Sequence, residues 1–286
     1  MKQIQWFPGH MTKALQNIKE RLSLVDIVLE LVDARAPFAS QNPLLREVLG
    51  NKPRLIILNK ADLADSSVTE RWRTWFARQG IATLALDART NVASRIEKAC
   101  QSPLQPLWEK ERAKGIRPRA IRAMIVGVPN VGKSTLINQL AHRKAAQVGN
   151  KPGVTKAQQW IKVSKQFELL DTPGVLWPRF ETPETAMRLA WINALPQSIL
   201  PLEAIGLALF DELQRYYPSA LSLLSSTDSS DRLGDFLDAL ATQRGFLMSQ
   251  GERDRDKALQ IMLGEVAIGK WGRFSFERPE DVVWPA

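Results

Sequence analysis

Gly127-Val-Pro-Asn-Val-Gly-Lys133-Ser134 fits the pattern G-x-x-x-x-G-K-[ST] and stands between a strand-like run and a helical one. Glycines in such a loop let backbone N–H groups close around a β-phosphate, and the helix that follows adds its positive end. Lys133 would then span the β- and γ-phosphates and Ser134 would ligate Mg2+, with Asn130, Val131, Gly132 and Thr135 completing the cradle. Two further segments supply the rest of a triphosphate site. Asp171-Thr-Pro-Gly174 closes the apolar run FELLD, placing a carboxylate to hold Mg2+ through water and a Gly174 N–H at the γ-phosphate. Thr155, 21 residues after Ser134 and 16 before Asp171, is the natural second hydroxyl ligand of Mg2+.

Base choice falls to Asn59-Lys60-Ala61-Asp62, at the end of the run RLIILN. A carboxylate at Asp62 can accept both N1–H and the exocyclic N–H of guanine, whereas adenine has no N1–H to give it. The nucleotide is therefore read as GTP rather than ATP. Asp87 and Ala88, in Asp87-Ala-Arg89 at the end of TLALDA, would bring a backbone N–H to the guanine oxygen.

Residues with these tasks must be held at strand ends, and strand-sized apolar runs are present at 26–33, 54–59, 83–88, 122–127 and 167–171. Between them come helical patterns: Met11, Leu15, Ile18 and Leu22 share one face, and Leu44, Leu45, Val48 and Leu49 outline a short helix. The alternation predicts an α/β domain with a mostly parallel sheet. Beyond about residue 180 helical spacing takes over, with helices expected near 183–195, 202–216, 231–243 and 254–269. Two domains are expected, 1–178 and a small all-helical 184–286, with a boundary near Trp177-Pro178-Arg179.

Composition narrows the class. The 286 residues, 44% hydrophobic and 24% charged, suit an ordinary folded protein. A single cysteine, Cys100, excludes an internal disulfide or a cysteine-based zinc module and fits a reducing compartment. No apolar run has the length of a signal peptide or a membrane span, so a cytoplasmic protein without membrane attachment is expected. The net charge of +9 is uneven: residues 1–183 hold 29 Lys/Arg against 15 Asp/Glu, residues 184–286 hold 10 against 15. Lys110, Arg112, Lys114, Arg117, Arg119 and Arg122 form the densest basic run, read as an exposed connector suited to a polyanion. Most of the nine tryptophans are expected in packing.

Motif order is unusual, since Asn59-Lys-Ala-Asp62 precedes the phosphate loop that ordinarily comes first. With Trp6-Phe-Pro-Gly-His-Met11, Asp33-Ala-Arg-Ala-Pro37, Asn150-Lys-Pro-Gly-Val-Thr155 and Asp171-Thr-Pro-Gly174, the sequence resembles the circularly permuted ribosome-assembly GTPases, most closely their ribosome biogenesis GTPase A (YlqF) type. That resemblance implies a circularly permuted P-loop GTPase domain followed by a helical domain that contacts rRNA. It implies GTP-dependent maturation of the large ribosomal subunit, with rRNA and ribosomal proteins as partners, release after hydrolysis, and a monomer off the ribosome. Arg244, Arg253, Arg255, Lys257, Lys270 and Arg273 are the helical domain's candidate RNA patch.

Val175 stands where many GTPases carry a water-orienting glutamine, so slow intrinsic turnover of about 10⁻⁴ to 10⁻² per second is expected, with stimulation by the ribosome. The resemblance offers His10 as the substitute catalytic group, alongside Lys133 and Thr155; an RNA contact or a plain helix-start histidine is the other reading of His10. It also offers Asn130 as a ligand of K⁺ near the phosphates, the amide carbonyl being a hard donor. Two other functions stay open: a non-catalytic GTP-sensing RNA-binding scaffold, and a GTPase acting on another ribosomal particle.

Overall fold

The computed structural model describes residues 10–117, 119–141, 160–172, 182–195, 201–222, 233–248 and 251–282. Its first half is a six-stranded sheet in the order β3-β2-β1-β4-β6-β5, with β1 Ile27–Asp33, β2 Arg54–Asn59, β3 Ala82–Ala85, β4 Ile121–Gly127, β5 Trp160–Lys162 and β6 Phe167–Leu170. Neighbouring strands run parallel except β5, which pairs antiparallel with β6 at the sheet's edge. Strand β1 is buried at every position, as a two-sided interior strand requires, and its mid-strand Glu30 is paired with Arg54 of β2. The expected mostly parallel α/β sheet is thus observed, and β5, only three residues long, is the strand the sequence pattern does not announce.

Helices α1 His10–Arg21, α2 Pro43–Leu49, α3 Ser66–Arg78, α4 Ala93–Ala113 and α5 Lys133–Leu140 accompany the sheet. Local chemistry sets several starts. Asn42 accepts from the Leu44 N–H ahead of Pro43, and Asp65 accepts from the Ser67 and Val68 N–H groups, satisfying donors that a helix start leaves free. Helix α4 runs through Pro103 and Pro106, its Ile96, Cys100 and Leu104 buried in the core. Lys110 and Arg112 therefore belong to the last turns of this helix rather than to a connector, and only the stretch from Lys114 onward links it to β4.

The later helices are α6 Pro183–Trp191, α7 Leu202–Tyr216, α8 Pro218–Ser222, α9 Leu233–Arg244 and α10 Arg255–Ala267, close to the four expected plus the short α8. One buried apolar cluster runs from Ile27, Leu29 and Ile125 of the sheet to Leu209, Met262 and Phe276. A second, smaller one joins Val32, Ile56 and Leu58 to Val68, Trp72 and Phe76 of α3. After α10 the chain returns to the sheet: Phe274 N–H donates to the Leu63 carbonyl, Phe276 N–H to the Arg35 carbonyl, and the Trp72 indole N–H to the Glu277 carbonyl. Trp177-Pro178-Arg179, the expected boundary, lies outside the described residues. Among the described residues no helix is long and apolar enough to cross a membrane.

Candidate functional site

Strand register brings the motifs to one edge. Asp33 pairs with Asn59 across β1 and β2, and Leu31 pairs with Gly127 across β1 and β4, so the base-reading and phosphate loops flank the end of β1 although 65 residues or more separate them in the chain. Asn59 ties them together: its Nδ2 donates to the Val131 carbonyl at 2.7 Å, and its Oδ1 accepts from the Ala88 N–H at 2.9 Å. This crossing explains Gly132, whose φ is +104° and whose missing Cβ would lie 2.3 Å from Asn59 Nδ2. Gly127 is as constrained, since a Cβ there would meet the Leu31 carbonyl oxygen at 2.5 Å.

At the base end every charge is answered. Lys60 (φ +57°) places its Nζ 3.0 Å from Asp33 Oδ2, and Arg35 donates from both Nε and Nη2 to the same carboxylate at 2.9 Å. Burial alone would raise the Asp33 carboxyl, yet Arg35 and Lys60 hold it well below the usual carboxylate range. Arg35 is itself 1% exposed and donates to the Ala267 carbonyl at 2.6 Å, which ties the Asp33-Ala-Arg-Ala-Pro37 loop to the end of α10. Asp62 faces the Arg89 guanidinium, which also pairs with Asp87 at 2.9 Å. The Ala88 N–H, as noted, is engaged by Asn59.

At the phosphate end the charges lack such company. Lys133 Nζ donates to the carbonyls of Gly127 (3.0 Å) and Val128 (2.8 Å), and burial depresses its pKa to about 8 against the pull of Asp171. Asp171, 2% exposed, is pushed by burial up to about 6 while Lys133 pulls it down, and its Oδ1 has no hydrogen-bond partner among the described residues. An orphaned, buried carboxylate oxygen in the same site as a phosphate loop suits Mg2+, a hard cation. Thr172 is spent on structure, its hydroxyl donating to the Ile125 carbonyl at 2.5 Å. Asn130, at φ +58°, donates its amide to the Asn193 carbonyl at 2.9 Å, a contact to the helical half. Ser134 and Thr135 open α5, and Thr135 lines the hollow beside Asn59 and Asp62. His10 opens α1, but its side chain lies outside the described residues, as do Thr155, Gly174, Val175 and their loops.

Sequence reasoning missed two residues. Glu277 is fully buried and accepts from the Phe38 and Ala39 N–H groups at 2.7 and 2.9 Å, with burial raising its pKa to about 7 against Arg188 and those amides. Arg89 sits on the base-reading carboxylate. Glu277 carries no local pattern, since it acts on residues far away in the chain; Arg89 and Arg35 at least stood inside segments already singled out, without a role assigned to either.

A parallel sheet with these loops at its carboxyl edge, in this chain order, is a circularly permuted P-loop GTPase. The family described as 50S ribosome-binding GTPase matches residues 122–205. Ribosome biogenesis GTPase A of Bacillus licheniformis is 46% identical over 98% of this chain and 99% of its own, and that of Priestia megaterium is 45% identical over 99% of each. The crystal structure of GNP-bound YlqF from T. maritima superposes with a TM-score of 0.69 at 33% identity, covering 94% of this chain and all of that one. The chain belongs to the ribosome biogenesis GTPase A family and is a GTP hydrolase.

Proposed function

We propose that this GTPase acts on the maturing large ribosomal subunit in the cytoplasm, binding in the GTP state and leaving after hydrolysis. The single observation that carries the nucleotide half of this reading is Asn59, which ties base-reading loop and phosphate loop into one cradle. In it Asp62 reads guanine and Gly132, Lys133 and Ser134 hold the phosphates. Asp171 and Ser134, with Thr155, would hold Mg2+, which supplies charge neutralisation on the phosphate oxygens when bound. His10 orients the attacking water, and Asn130 contributes to a K⁺ site; KCl over NaCl should speed turnover in the parent and not in Asn130→Ala. Residues 1–178 and 184–286 act as GTPase and helical domains of a monomer.

The partner is read from charge as well as from the relatives' names. Of the helical half's candidate patch, Arg244 and Lys270 pair with Glu265, Arg253 and Arg255 with Asp238, and Lys257 covers the Phe246 ring, which leaves Arg273 exposed and without an ion pair among the described residues. Lys110, Arg112, Lys114 and Arg117 are exposed and make no ion pair among the described residues, and Trp160, 42% exposed, lies under Arg122 nearby in the sheet. Free cations and an exposed ring suit an RNA backbone and its bases, so the sheet half is favoured as the docking side.

The test is GTP turnover in K⁺ buffer for the protein alone, with large subunits and with small subunits at equal concentration. A rise specific to the large subunit is the expected result, and its salt dependence should steepen by about 0.7 to 0.9 log units per phosphate neutralised. Equal stimulation by the small subunit would move the site of action to another particle. No rise with either, with GTP still bound, would turn the reading to a GTP-sensing scaffold.

A further inference from the structure

The Asn59–Asp62 motif does not stand alone. Beside it lies a hollow of about 360 Å³ whose opposite side is built from the helical half, by Ile192, Asn193, Ala267 and Ile268. That side is held in place by contacts independent of any ligand. Asn193, in the left-handed region at φ +61°, turns its carbonyl to Asn130, and the Ala267 carbonyl takes the Arg35 guanidinium. Gly269, at φ +76°, packs so closely on Leu63 that a Cβ would come within 2.7 Å of it. The turn after α10 is therefore pinned one residue from Asp62.

Ile268 caps α10 in that turn and is 68% exposed, the most exposed large apolar side chain in the described structure. Elsewhere on a surface a lone exposed isoleucine needs no account, but this one lines the cleft beside Asp62, together with Leu63, Ile192 and Ala267. A flat, weakly hydrated aromatic ring is the group whose burial would gain from it. We propose that Ile268 is a nucleotide-binding residue, forming the apolar wall against which the guanine base lies, so that the GTP site is shared between the two halves of the chain. The inference rests on the reading of Asp62 as the guanine acceptor and deepens it. Its consequence is reciprocal linkage: a ligand that gains affinity from the helical half must tighten that half's hold on the sheet by the same factor.

Because the wall stands at the base and not at the phosphates, it serves GDP and GTP alike. The experiment is calorimetric titration of the full chain with GDP and with a non-hydrolysable GTP analogue, for the parent, Ile268→Ala, Ile268→Asp and Lys133→Ala, with nucleotide-free melting curves for each. Expected is a weakening of roughly fivefold in Ile268→Ala, and more in Ile268→Asp, equal for the two nucleotides, with KM raised, kcat unchanged and melting unchanged. Unaltered affinity in both Ile268 variants while Lys133→Ala loses binding would overturn the wall and leave the site standing; so would a loss that follows a lowered melting temperature. Parent-like binding in Lys133→Ala would instead overturn the underlying reading of the phosphate loop.

Discussion

The two ends of the nucleotide cleft are built on opposite principles. At the base end the buried ions have partners inside the protein: Asp33 is shared by Arg35 and Lys60, and Asn59 uses both ends of its amide. At the phosphate end Lys133 leans on loop carbonyls and Asp171 keeps an oxygen with no donor among the described residues. Both regions are buried, so both carry a desolvation cost, but only the first recovers it without a ligand. The base end is a frame completed during folding. The phosphate end offers charges suited to a cation and an anion.

Substitution should separate the two. Lys133→Ala is expected to lower single-turnover hydrolysis by about 10² or more, the loss seen when a preorganised donor to transition-state charge is removed. It should hardly destabilise the nucleotide-free protein, because the lysine's depressed pKa means that burying it as a cation is unfavourable there. Arg35→Ala should do the converse. It leaves the Asp33 carboxylate with Lys60 as its one cation, beside the residue-35 backbone N–H, and strips the Ala267 carbonyl of its donor, for a loss of about 3 kcal/mol in urea unfolding. Arg35→Lys, which keeps the charge but not the fork, belongs between parent and alanine. Should Lys133→Ala lower the nucleotide-free stability as much as Arg35→Ala does, the contrast between a frame and an incomplete site is wrong.

This contrast also explains what the sequence could and could not reveal. The phosphate loop is legible because its function depends on local backbone geometry, and the glycines at 127 and 132 report that geometry directly. Asn59 to Asp62 is legible for the same reason, at the end of an obvious strand. The frame is different. Glu277 meets the amides of Phe38 and Ala39 across more than 230 residues of chain, and Ala267 offers Arg35 only a carbonyl, which every residue possesses. Long-range contacts to backbone leave no residue-type signature. Strand β5 escaped for want of length: three residues cannot display a period, and its pairing with β6 is visible only in space.

The smallest effect expected is the one that probes the unfinished end without altering it. The pKa of Asp171 is about 6 and that of Lys133 about 8. Binding of Mg·GTP needs the carboxylate ionised for the cation and the ammonium protonated for the phosphates. Below pH 6 a proton must leave Asp171 first, so affinity should fall as pH falls, by up to about tenfold per unit; above pH 8 a proton must be taken up by Lys133, so affinity should fall as pH rises, with the same limiting slope. Between the two the profile passes through a broad maximum near pH 7. Asp171→Asn should abolish the acid limb at a lower overall affinity, and Lys133→Arg, which stays charged, should abolish the alkaline limb. A parent profile without either limb from pH 5 to 9 would mean that the phosphate end is as fully partnered before the ligand arrives as the base end is.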